Sequence, residues 1–303
     1  MKISTSQDSP TAVWPAGAKL GEGPVWVDTE KALYWVDIKG CMIHRLSWPD
    51  VKRHSWKTHC QIGALHPTST GRFIGAFADG IHYVRLDKGH EFAQTELIVD
   101  PEEAYPNNRF NDGKIGPNGD FWTGSMDDGE ANPTGHLYKI AADGQYAVLD
   151  KDYVITNGPA FSPDGKTLYH TDTLGRVIYA FDLSPSGTVS AKRPFIRIPP
   201  ENGYPDGMCV DEAGYLWVCH WGGWGITRYS PEGEETGRIE MPVANVTSCA
   251  FGGIGRNILF ITTATKGLTK IERSRQLGAG ALFAIELDVR GPATRYFQEA
   301  DNE

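Results

Sequence analysis

Leu20-Gly21-Glu22-Gly23-Pro24-Val25-Trp26, then Tyr34-Trp35-Val36-Asp37-Ile38, then Met42-Ile43-His44-Arg45-Leu46, is the run whose pattern governs the whole chain. A polar residue in a glycine-rich turn precedes an aromatic-rich strand, and a second apolar strand follows. The couplet of strands recurs as Phe73-Ile74-Gly75-Ala76-Phe77 with Ile81-His82-Tyr83-Val84, and as Phe121-Trp122-Thr123 with His136-Leu137-Tyr138-Lys139-Ile140. It recurs again as Leu168-Tyr169-His170 with Val177-Ile178-Tyr179-Ala180-Phe181, and as Leu216-Trp217-Val218 with Gly225-Ile226-Thr227-Arg228-Tyr229. The last copy is Leu259-Phe260-Ile261-Thr262 with Leu282-Phe283-Ala284-Ile285. Turn residues sit at matching places, among them Ala142-Asp143-Gly144, Pro163-Asp164-Gly165, Ala213-Gly214 and Pro231-Glu232-Gly233. Couplets repeating at about 40–50 residues predict an all-β fold, a six-bladed β-propeller with four strands in each blade. The expectation is one domain over residues 1–303, with blades starting near Glu22, Gly63, Asn111, Asn157, Asp206 and Ser248. The chain ahead of Glu22 is expected to add a strand to the last blade and close the ring, which removes exposed sheet edges. The WD signature is missing, so the repeat is not a WD40 array.

Four polar side chains share one phase of this repeat. They are Glu22, Asn111 in Asn108-Arg109-Phe110-Asn111-Asp112-Gly113, Asn157 in Thr156-Asn157-Gly158-Pro159, and Asp206 in Tyr204-Pro205-Asp206-Gly207-Met208. Equal phase means the same place in each blade, and the innermost strands of a propeller line its channel, so the four converge at one mouth. Glu22 and Asp206 bring charge, and Asn157 brings a neutral carbonyl oxygen. Asn111 is either a fourth ligand or a water-mediated substrate contact. An oxygen-rich, sulfur-free set of this kind suits Ca²⁺, Mg²⁺ or Mn²⁺ and also holds Zn²⁺ or Fe²⁺, so the expectation is a central site for one divalent metal ion. Taken singly, Asn-Gly and Asp-Gly are ordinary turn residues. Glu22 is a poor turn former, and the four together at one phase point to a site. Arg109 is either a surface residue or a rim donor to substrate oxygens.

The composition narrows the partners. A formal net charge of −9 over 303 residues argues against nucleic acid or an anionic membrane surface. The five cysteines form no Cys-x-x-Cys pair, so the expectation is buried free thiols rather than a zinc knuckle or disulfide framework. The N-terminal stretch MKISTSQDSPTAVWPAG has no apolar run of signal-peptide length, and nothing approaches a membrane span, so the expected location is cytoplasmic. Oligomeric state has no signature in the sequence. There is no G-x-S-x-G, Walker A, H-E-x-x-H or G-x-G-x-x-G. The nine histidines show no metal-type pair at i, i+4, and His170 and His220, at equivalent strand positions, are expected to be wall or core residues. Trp221 and Trp224 are expected to pack rather than to form a sugar platform, though an aromatic at the channel mouth would serve either use.

At these residues the chain resembles the SMP-30/gluconolactonase/regucalcin family over roughly Leu20 to Ile285. The resemblance is carried by Gly21-Glu22-Gly23-Pro24-Val25-Trp26, Asn108-Arg109-Phe110-Asn111-Asp112-Gly113-Lys114, Asn157-Gly158-Pro159, Pro205-Asp206-Gly207-Met208-Cys209 and Ser248-Cys249-Ala250-Phe251-Gly252-Gly253. Ile155-Thr156-Asn157-Gly158-Pro159, Tyr169-His170-Thr171-Asp172-Thr173 and Trp221-Gly222-Gly223 make it most similar to the family's bacterial sugar lactonases. The resemblance implies a channel metal held by Glu22, Asn157 and Asp206, with Arg109 and Asn111 on a sugar lactone. Where mammalian members carry a substrate-contacting acid, Gly129 stands here, and Glu130 or Asp128 is the candidate substitute. The implied reaction is hydrolysis of an aldono-1,4- or 1,5-lactone, pentonic favoured, to the aldonic acid, with Asp206 or a metal-held hydroxide as base. The rival readings are a calcium-dependent esterase or phosphotriesterase propeller, and a calcium-binding propeller without turnover.

Overall fold

The computed structural model describes residues 9–300. The N-terminal stretch read above for a leader falls partly on residues 1–8, which lie outside the described residues. Six four-stranded antiparallel sheets make a six-bladed propeller. The innermost strands are Gly21–Val27, Ile62–Pro67, Asn108–Ile115, Thr156–Phe161, Tyr204–Val210 and Val246–Gly252. Four are buried at every residue, whereas outer strands such as Gln94–Val99 are largely exposed. Both faces of each second strand are covered by neighbouring blades, so Ala32–Asp37 and Phe121–Asp127 are buried along their whole length rather than at alternate residues. The bulky residues there, Trp35, Trp122 and Trp217, are fully buried wedges between sheets.

The last blade is completed from the other end of the chain. Thr11–Trp14 pairs antiparallel with Leu282–Glu286, Thr11 opposite Ala284 and Trp14 opposite Leu282, as the closure expectation required. Trp14 then reaches across to the first blade, edge-on to Trp35 at 5.6 Å and to His44 at 5.1 Å. The C-terminal segment laces the opposite face. Thr294 Oγ1 donates to the Trp26 carbonyl at 2.6 Å, the Phe297 N–H to Pro67 at 3.0 Å and the Gln298 N–H to Gly119 at 3.1 Å. That segment thus spans the first, second and third blades, and Phe297 is completely buried beneath them. A single short helix, Lys270–Arg275, is described; it has a capping box of Thr269 and Glu272 and precedes Leu282–Glu286. Among the described residues no helix is long and apolar enough to cross a membrane.

One local irregularity recurs in every blade. The pairing of the innermost strand with its neighbour slips between Glu22 and Val25, Ile62 and Ala64, Phe110 and Gly113, Asn157 and Ala160, Pro205 and Met208, and Val246 and Ser248. A bulge turns the side chains beside it away from the regular alternation. The shared phase in the sequence is the phase of these bulges. In the second blade the bulged residue is Gly63, and a Cβ there would lie 2.1 Å from the Asn111 carbonyl oxygen.

Candidate active site

The bulges put Glu22, Asn111, Asn157 and Asp206 around one cavity of about 370 Å³, and Arg109 and Glu130 line it as well. All six residues singled out in the sequence therefore share one mouth of the channel. A larger hollow of about 770 Å³ lies elsewhere, lined by turn residues such as Pro117, Asp164 and Gly165. Volume does not locate the chemistry there, since it gathers none of the converging channel residues.

Burial pushes the Glu22 carboxyl well above the usual range, and Asp206 and Asp112 add repulsion. Burial does the same to Asp206, with Asp112 the next contributor. The Glu22 side chain accepts a hydrogen bond from the Gly23 N–H at 3.1 Å, and Asp206 accepts one from the Gly207 backbone. Among the described residues neither carboxylate has an ion-pair partner, and Asp112 Oδ2 and Ser248 Oγ, both buried nearby in the bulged strands, have no hydrogen-bond partner. Two buried, mutually repelling carboxylates without a counterion are costly, and a cation between them removes that cost. The donor set fits a hard divalent ion: Glu22, Asp206 and the Asn157 carbonyl oxygen, with no sulfur or imidazole.

The amides are held in one orientation. Asn157 Nδ2 donates to Thr173 Oγ1 at 2.9 Å, which leaves its carbonyl oxygen on the channel side. Asn111 Nδ2 donates to that oxygen at 3.0 Å and to the Thr156 carbonyl at 2.7 Å. Asn111 Oδ1 in turn accepts from Arg109 Nη1 at 2.7 Å. Asn111 thus ties Arg109 to Asn157 and spends most of its hydrogen bonds on protein. Arg109 Nε donates to Asp128 at 2.7 Å and Nη1 also to the Phe110 carbonyl at 3.0 Å, leaving Nη2 for a molecule in the cavity. Lys39 Nζ donates to the same Asp128 oxygen, Oδ1, and Gln61 Nε2 donates to Oδ2. Of the two candidate acids that flank Gly129, Asp128 therefore sits behind Arg109, whereas Glu130 faces the cavity and is ion-paired with Lys266.

Sequence reasoning missed Lys266, Tyr204 and Thr173, which line the cavity from outside the shared phase. Asp112, next to Asn111 in the same motif, is the third acid of the site, and its repulsion of Glu22 and Asp206 has no mark in the local string. The tryptophan expectation needs correction. Trp221 is packed against the core, as expected, and also lines the cavity beside Lys266, whereas Trp224, which follows the Gly222-Gly223 turn at positive φ, is 43% exposed and does not pack. His170 and His220 are fully buried in second strands, as expected of core residues. The cysteines are free, but only Cys219 and Cys249 are buried, since Cys41, Cys60 and Cys209 fall at strand ends or loops with partial exposure.

A six-bladed propeller whose bulged inner strands gather acids and amides at one mouth defines the class of protein. Within that class the chain belongs to the SMP-30/gluconolactonase/LRE-like family, whose model matches residues 20–265, so the resemblance drawn from the motifs is borne out. The L-arabinolactonase of Azospirillum brasilense is 35% identical over 286 residues, covering 92% of each chain. Pentonolactonase XacC of Haloferax volcanii is 33% identical over 287 residues, covering 93% of this chain and 95% of that one. A solved calcium-binding protein, regucalcin from Agrobacterium tumefaciens, superposes with a TM-score of 0.90 at 26% identity, over 95% of this chain and 97% of that one.

Proposed function

We propose that this protein is a metal-dependent lactonase that hydrolyses an aldono-1,4- or 1,5-lactone, pentonic by preference, to the open-chain aldonic acid. The observation that carries the reading is the convergence of Glu22, Asn157 and Asp206 on the cavity that also presents Arg109. The pentonolactonase and arabinolactonase relatives support the substrate class. Glu22, Asn157 and Asp206 would hold one divalent ion, calcium, zinc, manganese, magnesium or iron(II), which when bound would supply Lewis-acid polarisation of the lactone carbonyl. Asp206 takes the proton of the attacking water and returns it to the ring oxygen as the ester bond opens. Arg109 Nη2 and Glu130 bind sugar hydroxyls, and Asn111 keeps Arg109 and the Asn157 oxygen in register, which supplies orientation. Lys266 balances the negative mouth and draws the Glu130 carboxylate to the rim. A cytoplasmic setting is part of this reading, supported by five cysteines that remain free.

Proton release from a panel of pentonic and hexonic lactones tests it, with metal-stripped protein and after adding back single divalent ions. Acid release above the spontaneous rate, restored by one ion, is the expected result. Stoichiometric ion binding with no release above the spontaneous rate overturns it. The second reading would then be a calcium-binding propeller without turnover, for which the regucalcin neighbour, described as a calcium-binding protein, supports the ion alone.

A further inference from the structure

The second blade contributes no side-chain ligand to the channel, because Gly63 stands at its bulge. It carries a different cluster. His59 and Cys60 lie in the loop between Arg53–Lys57 and Ile62–Pro67, and Asp79 in the hairpin between Phe73–Phe77 and Gly80–Arg85, the strand that carries His82. The Ala78 N–H donates to the Gln61 carbonyl at 2.9 Å and fastens loop to hairpin. His59 Nε2 is 2.9 Å from Asp79 Oδ2, Cys60 Sγ is 3.3 Å from Asp79 Oδ1, and His82 Nε2 is 3.1 Å from that same oxygen.

From this convergence we infer that His59, Cys60, Asp79 and His82 form a second metal site, chemically distinct from the channel, that takes Zn²⁺ or another thiolate-accepting transition-metal ion. The ligand atoms of His59, Cys60 and Asp79 already lie within 4.8 Å of one another. A tetrahedral zinc with its usual bond lengths sets ligand atoms about 3.3–3.8 Å apart, so side-chain rotations bring these three to one ion, and His82, held on the same Asp79 oxygen, is the fourth donor that turns in. The two imidazole centroids are 5.3 Å apart, and two imidazoles on one tetrahedral ion stand at about 5 Å. Phe77, fully buried, stacks on His59 at 5.1 Å and meets His82 edge-on at 4.9 Å, so one apolar residue orients both rings. Without an ion, burial and the adjacent Asp79 carboxylate push the Cys60 thiol up to about 12, so the thiol keeps its proton until a cation takes its place between sulfur and carboxylate. His59 and Asp79 are open to solvent, which gives an ion its way in. Binding replaces the Cys60 thiol proton, which leaves to solvent, and the thiolate and the Asp79 carboxylate then neutralise the two charges of the ion.

The inference does not depend on lactonase activity, and its test reads sulfur directly. Co²⁺ is titrated into the metal-stripped full chain, and the near-ultraviolet cobalt–thiolate charge-transfer band is followed. The channel set offers only oxygen, so the band reports a thiolate ligand, and its loss in Cys60→Ser separates Cys60 from the mutually neighbouring Cys209 and Cys249 thiols. The band should saturate at one Co²⁺ per chain, persist in Asp206→Asn and vanish in Cys60→Ser. No band at saturating Co²⁺, or a band that survives Cys60→Ser, overturns the site. Alkylation of the unaltered chain keeps the test independent of how the variants fold. Excess Zn²⁺ should slow modification of Cys60 by about tenfold or more, because the thiolate is the nucleophile, and leave Cys41 unchanged. Equal Cys60 rates with and without Zn²⁺ overturn the inference.

Discussion

Asp206 and Asp128 are both acids near one cavity, and their surroundings give them opposite tasks. Among the described residues Asp206 makes no direct ion pair, Lys266 acting on it only at a distance, so its oxygens are free for a ligand role. Asp206→Ala should therefore lose bound divalent metal and lactone turnover together, measured by metal content after dialysis and by acid release. Metal retained at one ion per chain would remove Asp206 from the ligand set. Burial opposes the charge of Asp128, but Lys39, Arg109 and Gln61 outweigh it and hold the carboxyl at about 2. It is thus ionised throughout the working range and serves to aim Arg109. Asp128→Asn should raise KM for the lactone by about tenfold and change kcat by less than about threefold, since a charge-assisted clamp is lost and the reacting groups are not touched. An equal fall in kcat would mean that Arg109 acts in the transition state. This division was not legible in the sequence. Lys39 and Gln61 stand 89 and 67 residues before Asp128, and Lys266 stands 136 after Glu130. The local string Asp127-Asp128-Gly129-Glu130 contains none of those partners.

Single strands explain why the phase could be read and its cause could not. Aromatic couplets recur wherever a second strand is buried on both faces, and that regularity survives in composition. A bulge leaves no such mark, because it adds a residue without changing the residue types around it. Gly63 is the informative case. In the sequence it was only a blade start, and in the structure the backbone of the third blade's inner strand passes against it. A Cβ would meet the Asn111 and Phe110 carbonyl oxygens at 2.1 and 2.6 Å, and backbone atoms cannot rotate aside. Gly63→Ala should cost about 3 kcal/mol or more and weaken the channel's metal affinity by displacing the strand that carries Arg109 and Asn111. Thermal unfolding and metal titration check the two effects separately. An unchanged midpoint would show that the two strands part without loss.

The ring as a whole is held at both faces, and only one of the two closures was visible in the sequence. Its buried histidines set a limit on the acid side. Burial pushes His66, His170 and His220 down to about 3, and the three lie on different blades. In the unfolded chain they titrate near 6.5, so between those values the unfolded state binds more protons. Their contribution is complete above about pH 6.5 and is lost as pH falls towards 3. The protein should lose stability steadily in that window, and His170→Phe should flatten the slope in denaturant titrations at several pH values. An unaltered slope would place the acid sensitivity elsewhere. The N-terminal closure was legible because a propeller must hide its last edge. The C-terminal lacing was not, because Thr294, Phe297 and Gln298 act mainly through backbone bonds and one buried ring. The N-terminal strand does more than hide an edge. It pairs with Leu282–Glu286 in the last blade and seats Trp14 on Trp35 and His44 in the first, while Arg53 Nη2 donates to the Val13 carbonyl at 2.7 Å. Glu22 belongs to the first blade and Asp206 to the fifth, so the seam it clamps bears on the separation of the two acids. Deleting residues 1–15 should therefore lower the thermal midpoint and also weaken divalent-ion affinity, although no ligand is removed. Isothermal titration of the truncated chain distinguishes the cases: a lower midpoint with unchanged affinity would mean that the C-terminal lacing alone keeps the mouth in register.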